Sequence, residues 1–529
     1  MTTPSIQQRA VRSRNTWLQW LDITPVQLIY LEGALAAFLA IGSLTWPLGV
    51  DQAWFYTVGN TILQGGIPYK DAFELKGPLT YYICAAIIAV FGNREIGIRI
   101  FDLLLVVYFC WWLKSTAWRV EGKSALGVTF TVVFFGAYYY GGLGFWYTAQ
   151  PDGWGGLLVA VTVALLLEES SRPIRRMAAV GVLIALAALL KPTFLIFSPL
   201  PLLYLPCDGR ELASRLVPRG VYVLSCISTI TLALALVFRH GGLEDYCDIL
   251  HFLSSSYTPF LRRHLSDEAR LIPQLLWEFG LTALYILVLP AVGYIWYSGY
   301  TRRAFILSTW FFLATLMVFV QGKYYLYHFT AATIAATVVV GNSLSLFGRS
   351  QVTPHVRTFA TGFAALIIGL SVVTSDLSDY LFGTLQWPGY VFGFIDKSDY
   401  MLRVAYGYPG DPDRVASYID SHSNEGDTIF LWSWNIRVLA MGKRQPATRF
   451  GTFEALITEG PLQAKYRHIF LSDISRRPPR YVVVDCLDSS YRPESSLWLL
   501  SDFKEFNHFL RERYKIVTRI GAFQIWEKT

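Results

Sequence analysis

The chain has 529 residues, 53% hydrophobic and 16% aromatic against only 16% charged, with a mean hydropathy of +0.38, which excludes a single soluble globule. Its formal net charge of +7 does not indicate nucleic acid, because the lysines and arginines stand in short clusters between apolar runs, as the positive-inside rule expects. The six cysteines, at 84, 110, 207, 226, 247 and 486, show no CxxC or other metal-ligand spacing, so no disulfide framework is implied. What remains is a polytopic α-helical membrane protein embedded in a lipid bilayer.

Arg9, Arg12 and Arg14 precede the first apolar run, Val26 to Leu48, and predict a cytoplasmic N-terminus and an uncleaved first span. A polar insert follows at residues 49–79, carrying Asp51, Lys70, Asp71, Glu74 and Lys76. Within it, Gln52 to Gln64 reads as an interfacial helix with Trp54, Phe55, Val58 and Ile62 on one face. Leu79 to Phe91 is too short to span and reads as a second interfacial helix. Ile96–Trp118, Ala125–Tyr147 and Gly153–Leu167 are then expected to span. Met177 to Leu205 is broken by Lys191-Pro192, with basic clusters at both ends, and two short helices meeting near Lys191 satisfy that pattern. Val221–Phe238, Leu275–Tyr297, Ala304–Val320, Phe329–Phe347 and Phe359–Thr374 bring the total to about eleven spans and leave the C-terminus outside.

This divides the chain into a transmembrane domain over residues 1–375, a connector over 376–410 and an extracytoplasmic soluble α/β domain over 411–529. The transmembrane part carries a first external loop at 49–95 and a long one at 239–274, the latter long enough to cover a site. In the soluble domain, Asp411-Pro412 reads as an N-cap and N1 pair opening a helix through Ser421. Strands are expected at Thr428–Trp432, Tyr481–Asp485, Lys515–Arg519 and Ala522–Trp526, with a helix over Leu497–Arg513.

Parity places Asp51, Asp152 and the Lys323 to His328 stretch on the same outer side of the membrane. Asp51 either caps the helix it opens or serves as a reactive carboxylate. Asp152, before Gly153, is a turn former or an organiser of neighbouring groups. The tyrosines of Lys323-Tyr324-Tyr325-Leu326-Tyr327-His328 fit an aromatic belt, whereas Lys323 and His328 ask for a site. His240, Asp245, Asp248, His251 and His264 are spaced too loosely for a convincing metal set, and the arginines beside them oppose a cation; no cofactor follows, although a divalent metal stays open. Trp432 and Trp434 are either core aromatics or a surface on which a sugar stacks.

Asp51, the Gly66-Ile67-Pro68-Tyr69 turn, the Glu74-Leu75-Lys76-Gly77-Pro78-Leu79 run, Phe91-Gly92 and Arg99 resemble the first external loop of GT-C glycosyltransferases, notably protein O-mannosyltransferases and the lipid A aminoarabinose transferase. Gln150-Pro151-Asp152 is similar to that family's second external loop, and Leu190-Lys191-Pro192 to its mid-chain break. The chain departs from the family at Lys76-Gly77-Pro78, where Lys-Pro-Pro is common, and at Gln52, where an acidic pair is common. The resemblance implies inverting transfer of a sugar from a polyprenyl-phosphate carrier to a glycan, lipid or protein acceptor on the outer face of a membrane, in the first place a bacterial plasma membrane. Asp51 and Asp152 are then the candidate catalytic residues, and Lys76, Lys323, Arg262 and Arg263 the candidate groups for the donor phosphate. Tyr69, Glu74, Lys191, Tyr327 and His328 are further substrate-site candidates. The chemistry agrees, since an attacking hydroxyl needs a carboxylate and a departing phosphate needs cations.

Two other readings compete. An oligosaccharide polymerase or ligase would centre on the Arg and His residues of 239–274, and a transporter would line a path with intramembrane charges, of which Lys191 is the main one here.

Overall fold

The computed structural model describes residues 40–121, 138–168, 172–203, 212–261, 265–347, 382–404, 410–486 and 496–529, together with isolated positions before and between these stretches. About half of the expected first span, part of Ala125–Tyr147, the whole of Phe359–Thr374, and Arg262, Arg263 and His264 lie outside the described residues.

The membrane-embedded part is helical. Helix α1 covers Val50–Leu63, α2 Pro78–Phe91 and α3 Glu95–Glu121. They are followed by α4 at Pro151–Leu167, α5 at Pro173–Leu190, α6 at Leu212–Val237 and α7 at Leu243–Phe252. Helices α8 (Leu265–Glu278), α9 (Thr282–Tyr297), α10 (Thr301–Gln321) and α11 (Thr330–Phe347) follow among the described residues. Among the described residues, four helices are long and apolar enough to cross a membrane, or five if one bent pair counts as a single span. Leu224, Ile227, Leu232 and Leu236 of α6 stand exposed along its length. A bilayer provides the apolar surroundings that such a surface requires.

Three expectations change on contact with tertiary structure. Leu275–Tyr297 is not one straight span: α8 and α9 meet at an angle of 102°, at Gly280, whose φ of +63° turns the chain. The break at Lys191-Pro192 is where the sequence puts it, but the first piece is no short helix. It begins at Pro173, takes Arg175 and Arg176 into its first turns, and reaches spanning length by itself before a 3-10 segment, Pro192–Phe197, and a short helix, Pro199–Leu203. Finally, α1 is not a surface helix with one apolar face. Residues Gln52 to Gly59 are all buried, because α2 packs on one side and the soluble domain covers another.

The long loop is largely helical rather than irregular. After α7 the chain continues through a π-helical turn, Leu253–Tyr257, and a short helix, Thr258–Leu261. Asp245 and Asp248, weighed above as metal ligands, each hold a cation of the soluble domain, Arg449 at 2.6 Å and Lys465 at 2.5 Å. Among the described residues no group of three or more His, Cys, Asp or Glu side chains converges as a metal site would.

The soluble domain carries a five-stranded sheet in the order β2-β1-β3-β5-β4, with β1 Thr428–Trp432, β2 Gln445–Pro446, β3 Tyr481–Asp485, β4 Tyr514–Ile520 and β5 Phe523–Lys528. The first three strands pair in parallel and the last two join antiparallel. Every residue of β1 and β3 is buried, as continuous apolar runs flanked by helices demand. The helix opening at Asp411 extends to Ser421, but Gly410 is its N-cap, and Asp411 instead accepts a bond from Arg414 at 3.1 Å. Leu497–Arg513 is two helices, Ser496–Asp502 and Lys504–Arg513, broken where Phe503 turns fully into the core.

Polar contacts lock this domain onto the first external loop. The guanidinium of Arg437, 3% exposed, donates to both carboxylate oxygens of Asp413, at 2.7 and 2.9 Å, and to Glu95. Glu95 in turn accepts the Leu48 amide at 2.8 Å, immediately before α1. Nearby, Asn93 donates to the Ala440 carbonyl at 2.6 Å and the Phe73 amide to the Arg449 carbonyl at 2.8 Å.

Candidate active site

A cavity of about 590 Å³ opens between the first external loop, the end of α5, the end of α10, the long loop and the soluble domain. Asp51, Glu74, Lys76, Lys191, Lys323, Tyr327 and His328 line it, so chain positions more than two hundred residues apart are brought to one place.

Asp51 sits in the first turn of α1, where its charge suits the helix dipole. It does not cap the helix. That task falls to Gln52, whose Oε1 accepts the Gly49 amide at 2.6 Å. The rest of the Gln52 amide is used as well: Nε2 donates to the carbonyls of Phe145 and Thr148 at 2.9 and 2.6 Å, and Oε1 also accepts from Arg99 at 2.9 Å. Gln52 and Arg99 therefore tie α1 to the segment ahead of α4, and the residue after Asp51 serves as a structural amide where the family often has an acidic pair. Its side chain, 29% exposed, faces Lys76, with 3.8 Å between Oδ2 and Nζ.

Lys76 is held from several directions. Its amide donates to Glu74 Oε2 at 2.7 Å and to the Tyr81 hydroxyl at 2.8 Å, while Tyr81 also donates to Glu74. Its carbonyl accepts from Tyr69 at 2.8 Å. Tyr69 is thus a support beneath the loop and not part of the cavity wall. Burial opposes the Lys76 charge, but Asp51, Glu74, Asp152 and Glu454 together outweigh it and raise its pKa above the ordinary lysine value.

The next residue explains how the loop meets α5. The Gly77 amide donates to the Leu190 carbonyl at 2.9 Å, and Thr80 Oγ1 donates to the same oxygen at 3.0 Å. A β-carbon on residue 77 would lie 2.1 Å from the Leu189 carbonyl oxygen. Only glycine allows that approach, which sets Lys76 beside Lys191 and accounts for the departure from Lys-Pro-Pro.

Lys191 terminates α5, and Pro192 prevents the helix from continuing. Its ammonium donates to both oxygens of Asp152 at 2.9 Å and to Gln321 Oε1. Asp152 is fully buried in the first turn of α4 and does not line the cavity; it organises Lys191. The ring of Tyr327 lies between two ammonium groups, 6.0 Å from Lys76 and 5.6 Å from Lys191.

Lys323 follows Gly322, the left-handed C-cap of α10, and its ammonium is 3.5 Å from the ring centroid of Tyr257 in the long loop. Burial, and then the charge of Lys76, lower its pKa, while Glu454 acts in the opposite sense. Glu454 and Trp434, both from the soluble domain, complete the wall. Burial pushes the Glu454 carboxyl up to about 7, offset in part by a hydrogen bond from Tyr257 and by Lys323. Of the two tryptophans weighed as sugar stackers, Trp432 is core, its Nε1 donating to the Ser496 carbonyl at 2.9 Å, and Trp434 reaches the cavity.

Sequence reasoning missed Glu454 and Gln321. The signal for Glu454 is faint: an isolated carboxylate in the run Phe453-Glu454-Ala455-Leu456-Ile457. A further mark is visible only in the backbone. Among the described residues three non-glycines have positive φ, Tyr69 at +70°, Ala149 at +53° and Tyr324 at +55°. Each lies in a segment that feeds the cavity, where such strain is known to gather.

No protein-family model matches the sequence, and no curated protein matches it either. Solved structures do. ArnT from Cupriavidus metallidurans bound to undecaprenyl phosphate is 12% identical, with a TM-score of 0.57, over 94% of this chain and 97% of that one. The same protein in the apo state gives 13% identity and a TM-score of 0.58 over the same shares. At that identity the likeness is one of fold, and it extends over nearly the whole of both chains. The protein has the fold of ArnT, and four of its described helices are long and apolar enough to cross a membrane.

Proposed function

We propose that this protein is a glycosyltransferase that moves a sugar from a polyprenyl-phosphate carrier to an acceptor hydroxyl, with inversion, at the outer face of a bacterial plasma membrane. One observation carries the reading: a carboxylate, Asp51, and three ammonium groups, Lys76, Lys191 and Lys323, line one cavity beside membrane-spanning helices. The undecaprenyl phosphate in the ArnT structure of the same fold supports a carrier of this class.

In this reading the acceptor oxygen attacks the anomeric carbon while Asp51 takes the hydroxyl proton. The bond from that carbon to the phosphate oxygen breaks, and its electron pair leaves with the phosphate. The charge that develops there falls to the lysines, fixed in advance by Glu74, Tyr81 and Asp152. Asp152 acts through Lys191 and is a positioning residue. Tyr327 spaces Lys76 and Lys191, and His328 closes the same wall.

A polymerase centred on the long loop has less support, since His251 is exposed and stands apart from the cavity lining. The test is reconstitution in liposomes with polyprenyl-phosphate sugars, scored by consumption of the carrier-linked sugar. Transfer by the wild type, its loss in Asp51→Asn and its retention in His251→Ala are expected. Full transfer by Asp51→Asn overturns the proposed base.

A further inference from the structure

The wall contributed by the soluble domain has a chemistry of its own. Glu454 is 7% exposed and lines the cavity, yet its Oε1 has no hydrogen-bond partner among the described residues. An acceptor atom withdrawn from water in this way is costly unless something brings a donor to it. Trp434 lines the same cavity and packs edge-on against Phe453, the residue before Glu454, with centroids 5.2 Å apart at 78°. A half-buried indole beside a carboxylate acceptor suits a sugar ring, which presents C–H groups to the aromatic surface and hydroxyl groups to the carboxylate. Neither residue shares an element with the lysines, which come from the membrane-embedded part.

We infer that Trp434 and Glu454 form a carbohydrate subsite, through which the soluble domain binds the hydroxyl-bearing face of a sugar while the lysines bind phosphate. This rests on the transferase reading above and adds a role for the domain that the phosphate chemistry does not require. The sugar is either the one on the carrier or part of a glycan acceptor, and both present the same chemistry to this wall.

The test uses the full-length protein in nanodiscs, as wild type, Glu454→Gln, Glu454→Ala and Trp434→Ala. Each is titrated with undecaprenyl phosphate, with undecaprenyl-phosphate mannose, glucose and arabinose, and separately with free mannotriose and maltotriose. A donor-sugar subsite predicts that the wild type binds a glycosylated carrier at least tenfold more tightly than the bare one. The alanine variants then lose that preference and keep their affinity for undecaprenyl phosphate. An acceptor subsite predicts the same loss for the trisaccharides instead. Glu454→Gln, which keeps an acceptor oxygen, falls between wild type and Glu454→Ala in either case. Variants that retain the full preference, or that lose bare and glycosylated carrier equally, overturn the subsite but leave the transferase reading standing. Failure of the wild type to bind any polyprenyl phosphate overturns that reading and the subsite with it.

Discussion

Lys191 binds both carboxylate oxygens of Asp152 at 2.9 Å, joining the end of the spanning helix α5 to the first turn of the shorter apolar helix α4 at the edge of the cavity. Asp152 is fully buried and Lys191 nearly so, and removing one partner of such a pair strands the other charge. Asp152→Asn is expected to lose about 3–5 kcal/mol of stability, together with transfer activity. The double variant Asp152→Asn/Lys191→Met should regain most of the stability and none of the activity. Thermal unfolding in detergent, read beside a transfer assay, separates the two effects.

Asp51 makes a different prediction, because it does not cap α1 and its ion-pair partner, Lys76 at 3.8 Å, is held independently by Glu74 and Tyr81. Asp51→Asn should leave unfolding temperature and carrier binding near wild type while lowering turnover by about 10²–10⁴. A large drop in stability would instead mark it as a structural residue.

Gly77 is expected to tolerate no side chain. Gly77→Ala forces the loop away from the end of α5, at about 1–3 kcal/mol, and separates Lys76 from Lys191. Gly77→Pro also deletes the bond to the Leu190 carbonyl. Both should weaken binding of undecaprenyl phosphate by tenfold or more, measured by titration in nanodiscs.

Glu454 gives the protein a distinctive pH dependence. Its folded pKa, about 7, is raised above the usual glutamate value of 4.5, so between those values the folded state binds more protons than the unfolded one. The stability tied to this group is complete below pH 4.5 and is lost as pH rises through 7, a change of up to roughly 3 kcal/mol. Lys323, Lys76 and Glu74 also act on the group, so the comparison that isolates it is Glu454→Gln against wild type. The glutamine variant should gain in unfolding temperature relative to wild type between pH 5 and pH 8; an unchanged difference contradicts this.

Arg437 is the clamp between the soluble domain and the first external loop. Arg437→Met removes the hydrogen-bonded charge that holds Glu95 across the seam and, since Glu95 is 28% exposed, should cost about 1.5–3 kcal/mol of docking. Limited proteolysis is expected to release the soluble domain sooner than in wild type, and turnover should fall because the Leu48 amide, held by Glu95, sets the start of α1.

Much of the site was legible because its charges stand in apolar surroundings. Asp51, Lys76, Lys191 and Lys323 are conspicuous in a chain with so few charged residues, and each lines the cavity. The strands of the soluble domain were legible for a related reason, as uninterrupted apolar runs. Glu454 was not, since a glutamate in a water-soluble domain is ordinary until the domain turns it toward the membrane part. The burial of α1 was hidden likewise: helix Arg437–Met441, nearly four hundred residues later, covers it. The sharp turn at Gly280 left no trace in hydropathy, which measures the length of an apolar run and not its straightness.

The cavity draws its walls from positions 50 to 454. A ribosome that has finished the last described spanning helix has therefore made all three lysines of the cavity and the carboxylate of Asp51, but not Trp434 or Glu454. During biosynthesis the charged half of the pocket is complete before its final wall exists. A nascent chain arrested before residue 434 is thus expected to carry the lysines and Asp51 without the wall that the soluble domain supplies.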